Sequence, residues 1–238
     1  VSDSEVVTYQ FAFTDGTARE FSVELRQPSL DLIPASTGGE PEWTTLAFRK
    51  CPNCLLSADD TAYCPVAKNL VPIAQAFQNC MSYDPVEVTV HTEARMYHNT
   101  CSLQEGISSL MGLIMATSGC PHLDRLRPMV FTHLPFATLR ETTYRAVSMY
   151  LLAQFFRQRC SKTPDWELKE LSRIYEDIRG VNMAFAKRLA SIQEKDANRN
   201  AIVRLDTFAR TTAFSIDEQW WEDIENIFRP YLVPLPVS

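Results

Sequence analysis

Cys51-Pro52-Asn53-Cys54 is followed ten residues on by Cys64-Pro65, so three thiols fall within fourteen positions of a turn-rich segment. A CxxC turn carries both sulfurs to one side, where they can share one soft ion, and a third thiolate can close over it. Three ligands leave a structural site incomplete. Cys120-Pro121-His122 offers the fourth, because Gly119 reads as a helix terminator and the turn beyond it can meet another loop. The expected ligands are Cys51, Cys54, Cys64 and Cys120, with His122 the substitute for any one that fails. A zinc ion suits four thiolates or three plus imidazole, and an iron–sulfur cluster accepts four cysteines, so spacing does not choose between these cofactors. A closed four-ligand site has no open coordination position; its role would be structural, in a protein that binds or regulates, with any activity elsewhere.

The same CxxC is also a redox arrangement, with Cys51 as nucleophile, Cys54 as resolving thiol, and Arg49 and Lys50 favouring the thiolate. That design wants a helix N-terminus after the first thiol, whereas Leu55 to Asp60 is short and turns acidic, so metal binding is the first reading and a thiol-redox enzyme or sensor the alternative. Cys80, Cys101 and Cys160 have no partner at ligand spacing and read as packing residues. Among the histidines, His91 alternates with the apolar face of a strand and faces solvent, His98 sits near a strand end, and His133 lies in a proline-bounded segment where it donates to loop carbonyls or serves as a base. Glu141 is explained by a helix cap. No Ser-His-Asp, HExxH or Gly-rich phosphate pattern is present. Trp220-Trp221 reads as core or boundary packing, since adjacent rings on a helix point about 100° apart.

The elements that must position these residues change character along the chain. Val7, Tyr9, Phe11 and Phe13 alternate, and Phe21, Val23 and Leu25 repeat the pattern after Asp15-Gly16, which predicts a β-hairpin. Facing partners must share a side, and a two-residue loop would pair Phe11 with Glu20; an odd-length loop with Gly16 in a left-handed bulge is expected. Residues 27–42 read as a surface loop, 43–48 as a short strand, 66–77 as a helix limited by Pro72, and Val86 to Val90 as a strand that runs on toward Tyr97.

Beyond residue 100 the period becomes helical. Ser102 with Glu105, Thr138 with Glu141 and Ser215 with Glu218 fit the capping box, and Thr163-Pro164 opens the longest apolar stripe, from Leu168 to Ile192. The helix from Leu103 carries Gly106, Ser109, Gly112 and Ala116, small residues that let a neighbour approach, and it is expected to be central. A further helix covers about 200–209, and the last ends before Pro230, with Pro234 and Pro236 in an extended tail. Strands in a run followed by helices in a run predict an α+β fold, a small N-terminal antiparallel sheet packed on a C-terminal helical bundle. A single mixed domain over 1–238 is expected, β-rich with the cysteine loop to about residue 100 and helical from 101.

The 238 residues carry a formal charge of −6, against a nucleic-acid surface, and are 45% hydrophobic and 22% charged, against disorder. The longest apolar stretch, about 107–116, is roughly half the length a membrane span needs, and no secretory leader is legible, so neither membrane nor nucleic acid is an expected partner. A protein or small-molecule partner is left open. Seven cysteines, an odd number with a CxxC among them, point to intracellular thiol chemistry and a cytoplasmic location. The segments Cys51-Pro-Asn-Cys54, Tyr63-Cys-Pro-Val-Ala67, Gly112-Leu-Ile-Met-Ala-Thr-Ser-Gly-Cys-Pro-His122 and His133-Leu-Pro-Phe-Ala137 together resemble an uncharacterised bacterial protein family of unknown function. That resemblance spans most of the chain from the first hairpin onward and implies a bacterial, cytoplasmic protein, but no activity or cofactor.

Overall fold

In the computed structural model, which describes residues 3–34, 39–214 and 218–232, the N-terminal alternation becomes strands β1 (Ser4–Phe13) and β2 (Ala18–Arg26). They pair antiparallel with Tyr9 opposite Phe21 and Val7 opposite Val23, so apolar residues share one face. The loop between Phe13 and Thr17 is the expected odd-length one: Gly16 holds a φ of 84° and its N–H donates to the Phe13 carbonyl at 3.0 Å. β4 (Pro85–His91) pairs with the other side of β1, setting Phe11 opposite Val88.

Three expectations for this half are corrected. The stretch after Val90 does not run on as one strand; Thr92 N–H and the Arg95 carbonyl close a turn, and β5 (Met96–Ser102) returns beside β4. The loop after Gln27 contains a short strand, β3 (Leu32–Ile33), on the edge of β2. Residues 43–48 form no strand: Glu42–Thr44 is a 3-10 turn and only Thr45 bridges to Tyr63, since Thr44 N–H and its hydroxyl are taken by the Pro41 carbonyl. The sheet order is β3-β2-β1-β4-β5, antiparallel throughout.

Its inner face buries Val7, Tyr9, Phe11, Val23, Leu25, Val86, Val88 and Val90. Arg19, opposite Phe11, is accommodated there because its guanidinium lies over the Phe13 and Phe77 rings at 4.8 and 4.9 Å and donates to Cys80 Sγ.

The predicted helix over 66–77 is divided into α1 (Pro65–Asn69) and α2 (Val71–Ala76), as Pro72 has no N–H to continue the ladder. α3 (Leu103–Thr117) lies against the sheet, where a Cβ on Gly106 would stand 2.8 Å from Val88 Cγ2 and 2.9 Å from Phe11 Cε1. Gly112 points elsewhere, toward Leu205, so the small residues serve two neighbours and not one. The Ser102–Glu105 box does not form. Leu103 and Gln104 N–H groups donate instead to the carbonyls of Asp84 and Ser82, and Glu105 pairs with Arg204 at 3.4 Å.

After α4 (Arg127–Val130), the Thr138–Glu141 box opens α5 (Leu139–Arg159) as expected. α6 (Lys169–Ala190) begins later than Thr163-Pro164, because Asp165 accepts the Glu170 N–H and the Tyr150 hydroxyl and so holds the 160s as a turn on α5. α7 spans Ala197–Phe214, and α8 (Glu218–Leu232) passes through Pro230 instead of ending before it, losing only a hydrogen bond in its last turn. Ser215, the Trp220 side chain, Pro234 and Pro236 lie outside the described residues. One continuous apolar core joins the sheet face, α3, α6 and α7, giving the expected α+β arrangement. Among the described residues no helix is long and apolar enough to cross a membrane.

Candidate functional site

Proline follows Cys51, Cys64 and Cys120 alike, and at Cys64 and Cys120 the local geometry repeats. Proline fixes φ near −65° and starts a tight turn, which swings the next two N–H groups back over the cysteine side chain. Thus Val66 and Ala67 N–H groups point at the Cys64 sulfur, and His122 and Leu123 N–H groups at the Cys120 sulfur. Such donors favour negative charge on sulfur. Cys64 stands at the start of α1 with its own N–H on the Thr44 carbonyl, and Cys120 follows Gly119, whose φ of 85° ends α3 as expected. Cys54 N–H closes the CxxC turn on the Cys51 carbonyl at 3.1 Å.

These turns bring the four thiols within electrostatic reach of one another. Burial first, then the neighbouring Cys64, Cys54 and Cys120, push the Cys51 thiol up to about 12, and burial likewise raises Cys64 and Cys120. At neutral pH and without a bound cation these three are thiols. Among the described residues no group of three or more His, Cys, Asp or Glu side chains is placed to hold a metal ion.

The cation that faces them is Arg188, 1% exposed and the largest fully buried side chain. Its Nη1 donates to the carbonyls of Trp43 and Thr45 at 2.7 and 3.0 Å, and none of the ion pairs among the described residues includes it. Burial lowers its proton affinity, and Cys64, Cys51 and Cys54 restore part of it. Burying a guanidinium without an anion costs several kcal/mol, and the neighbouring sulfurs would supply a counter-charge only once ionised. The sequence reading missed Arg188, yet a signal exists: it lies three residues after Phe185, on the stripe of α6 that buries Tyr175, Ile178 and Val181.

His122 performs a different task from the one expected of a substitute ligand. Its Nε2–H donates to the Asn53 carbonyl at 2.6 Å and its Nδ1 lies 3.5 Å from Asp177 Oδ2, so the turn after α3 is tied to the CxxC turn. Asn53 Nδ2 in turn donates to the Asp177 carbonyl, and its amide lies where a Cβ on Gly180 would sit, 3.0 Å away.

Arg49 and Lys50 do not lower the Cys51 thiol: Lys50 Nζ donates to the Leu56 carbonyl, and the cation acting on Cys51 is Arg188. Cys80 and Cys101 are half-buried, whereas Cys160 is exposed beyond α5 and packs nothing, a correction that follows from its place past the last helical turn. His98 is exposed, with His91 half-exposed and Nε2 facing Gln10. His133 donates to no loop carbonyl through Nε2, which meets the Tyr9 hydroxyl at 2.7 Å, and Glu141 is spent in its cap.

A five-stranded antiparallel sheet backed by helices, with two Cys-Pro turns beside a buried arginine, defines an α+β protein. No curated protein and no solved structure matches it significantly. The chain belongs to the family DUF6901, a domain of unknown function, whose model covers residues 7–229, in keeping with the resemblance to an uncharacterised family.

Proposed function

We propose that this protein binds a metal ion through Cys51, Cys54, Cys64 and Cys120 and that the ion fastens the cysteine loop to the end of α3, in a protein that binds or regulates. The observation that carries the reading is that four thiols from three separate segments lie within electrostatic reach of one another, three of them beside one buried guanidinium and two facing paired N–H donors. Four thiolates on a divalent ion carry a charge of −2, and Arg188 offsets half of it. The ion would have to draw the sulfurs together, beside a turn that His122 ties through the Asn53 carbonyl. Zinc suits such a four-thiolate set and an iron–sulfur cluster is the other cofactor it accepts; the second would colour the protein. Thiolate ligation needs reduced cysteines, which goes with a reducing compartment such as the cytoplasm.

The alternative is a thiol-redox enzyme or sensor using Cys51 and Cys54. A raised Cys51 thiol is a poor nucleophile, which counts against the redox reading. Alkylation at neutral pH followed by mass spectrometry separates the two. With metal, Cys51, Cys54, Cys64 and Cys120 are protected until a chelator is added, while Cys160 reacts at once. Rapid labelling of Cys51 without chelator, with Cys54 oxidised to it by a mild oxidant, would establish the redox reading instead.

A further inference from the structure

A cavity of about 170 Å³ opens between α3, the segment 126–137, α5 and α7, and it shares no residue with the four cysteines. Leu113, Met129, Phe136, Leu205 and Phe208 supply apolar lining. Into it come His133, Arg145, Arg204, Ser109 and Glu105, from elements far apart in sequence. Tyr9, fully buried, links two of these: its hydroxyl is 2.7 Å from His133 Nε2 and 2.9 Å from Ser109 Oγ. Burial raises the Tyr9 phenol and lowers His133 to about 4, so both are neutral at pH 7. The phenol, the better donor, gives its proton to Nε2, which assigns the imidazole proton to Nδ1 and leaves an N–H with no protein acceptor among the described residues.

The two arginines are held in place, not neutralised alike. Arg145 Nη2 donates to the Met129 and Thr132 carbonyls, its Nε is buried without a hydrogen-bond partner, and among the described residues no carboxylate forms an ion pair with it. Arg204 lies over the Phe208 ring and faces Glu105 at 3.4 Å. Two cations and one anion leave the lining with a net positive charge and an excess of N–H donors on an otherwise apolar wall.

We propose that this cavity binds a small organic acid, a single carboxylate on an apolar body. A cavity near 150 Å³ holds a benzene-sized solute, so roughly six to ten heavy atoms fit. The carboxylate takes the donors of Arg204 and His133, and the body replaces water against Leu205, Phe208 and Met129.

Hexanoate and its neutral counterpart hexanol, titrated into the full chain by calorimetry, test this. Hexanoate binds saturably and at least tenfold more tightly than hexanol. Arg204→Gln weakens hexanoate tenfold or more without changing hexanol, and Glu105→Gln, which frees Arg204, tightens hexanoate several-fold. Both positions are partly exposed, so melting curves will show the variants folded. No saturable hexanoate binding to the wild-type chain, equal affinities for the two probes, or an Arg204→Gln chain that binds hexanoate unchanged would overturn the proposal.

Discussion

A buried arginine and a histidine on a loop show how far residue type alone reaches. Periodicity places Arg188 on the apolar stripe of α6, but what it means there depends on three thiols that arrive from residues 51 to 64, which no local pattern reveals. His122 has the chemistry of a ligand, and only the fold shows Nε2–H given to the Asn53 carbonyl. The two roles separate by mutation. On the proposed metal reading, Cys120→Ser lowers metal content together with stability, by roughly 2–4 kcal/mol in chemical denaturation. His122→Ala keeps the metal and costs about 1 kcal/mol, the worth of a buried hydrogen bond. Should the serine variant hold a full complement of metal, Cys120 is no ligand. His133 gives a pH prediction. Its folded value of about 4 lies below the ordinary 6.5, so its contribution to stability is fully present above pH 6.5 and is lost as pH falls toward 4, by about 3 kcal/mol at most. The wild-type chain therefore loses more stability between pH 7 and 4 than His133→Gln does; parallel pH curves for the two would show that His133 is not buried neutral.

At the scale of elements, the hairpin, β4 and the long helices are legible, whereas β3, the separate β5 and the 3-10 turn at 42–44 are not, and element ends are less so. Alternation and the demand that facing residues share a side gave the hairpin register and its odd loop. The failures at the starts of α3 and α6 share one cause: a boundary is set by partners elsewhere. Carbonyls of Asp84 and Ser82 replace the cap expected from Ser102 and Glu105, and Asp165 delays α6 by binding Tyr150 and Glu170. The same dependence on neighbours makes Gly180 a test of how α6 carries the cysteine loop. A methyl group there meets the Asn53 amide at 3.0–3.2 Å, so Gly180→Ala displaces the CxxC turn, costs about 1–3 kcal/mol and weakens metal retention against a chelator. Alanine at 180 with unchanged stability and retention would mean that Asn53 moves aside freely and that the loop is not held through it.

For the molecule as a whole, a run of strands followed by a run of helices was enough to give the α+β arrangement, because each exposes an apolar face that the other covers. The candidate site was legible as far as its cysteines, whose Cys-Pro turns are local in sequence; the counter-charge, the Asn53–His122 tie and the cavity beside α3 arise only when distant segments meet. The meeting of the cysteine turns beside Arg188 is proposed to serve a bound ion. It is tested most directly by the metal content of the full chain, purified without chelator and measured by elemental analysis alongside its absorption spectrum. One equivalent of zinc per chain with no visible colour, or iron with a visible band from a cluster on the same four thiolates, is the predicted result. Less than about a tenth of an equivalent of every transition metal, the level of contamination and not of a tight site, would contradict it.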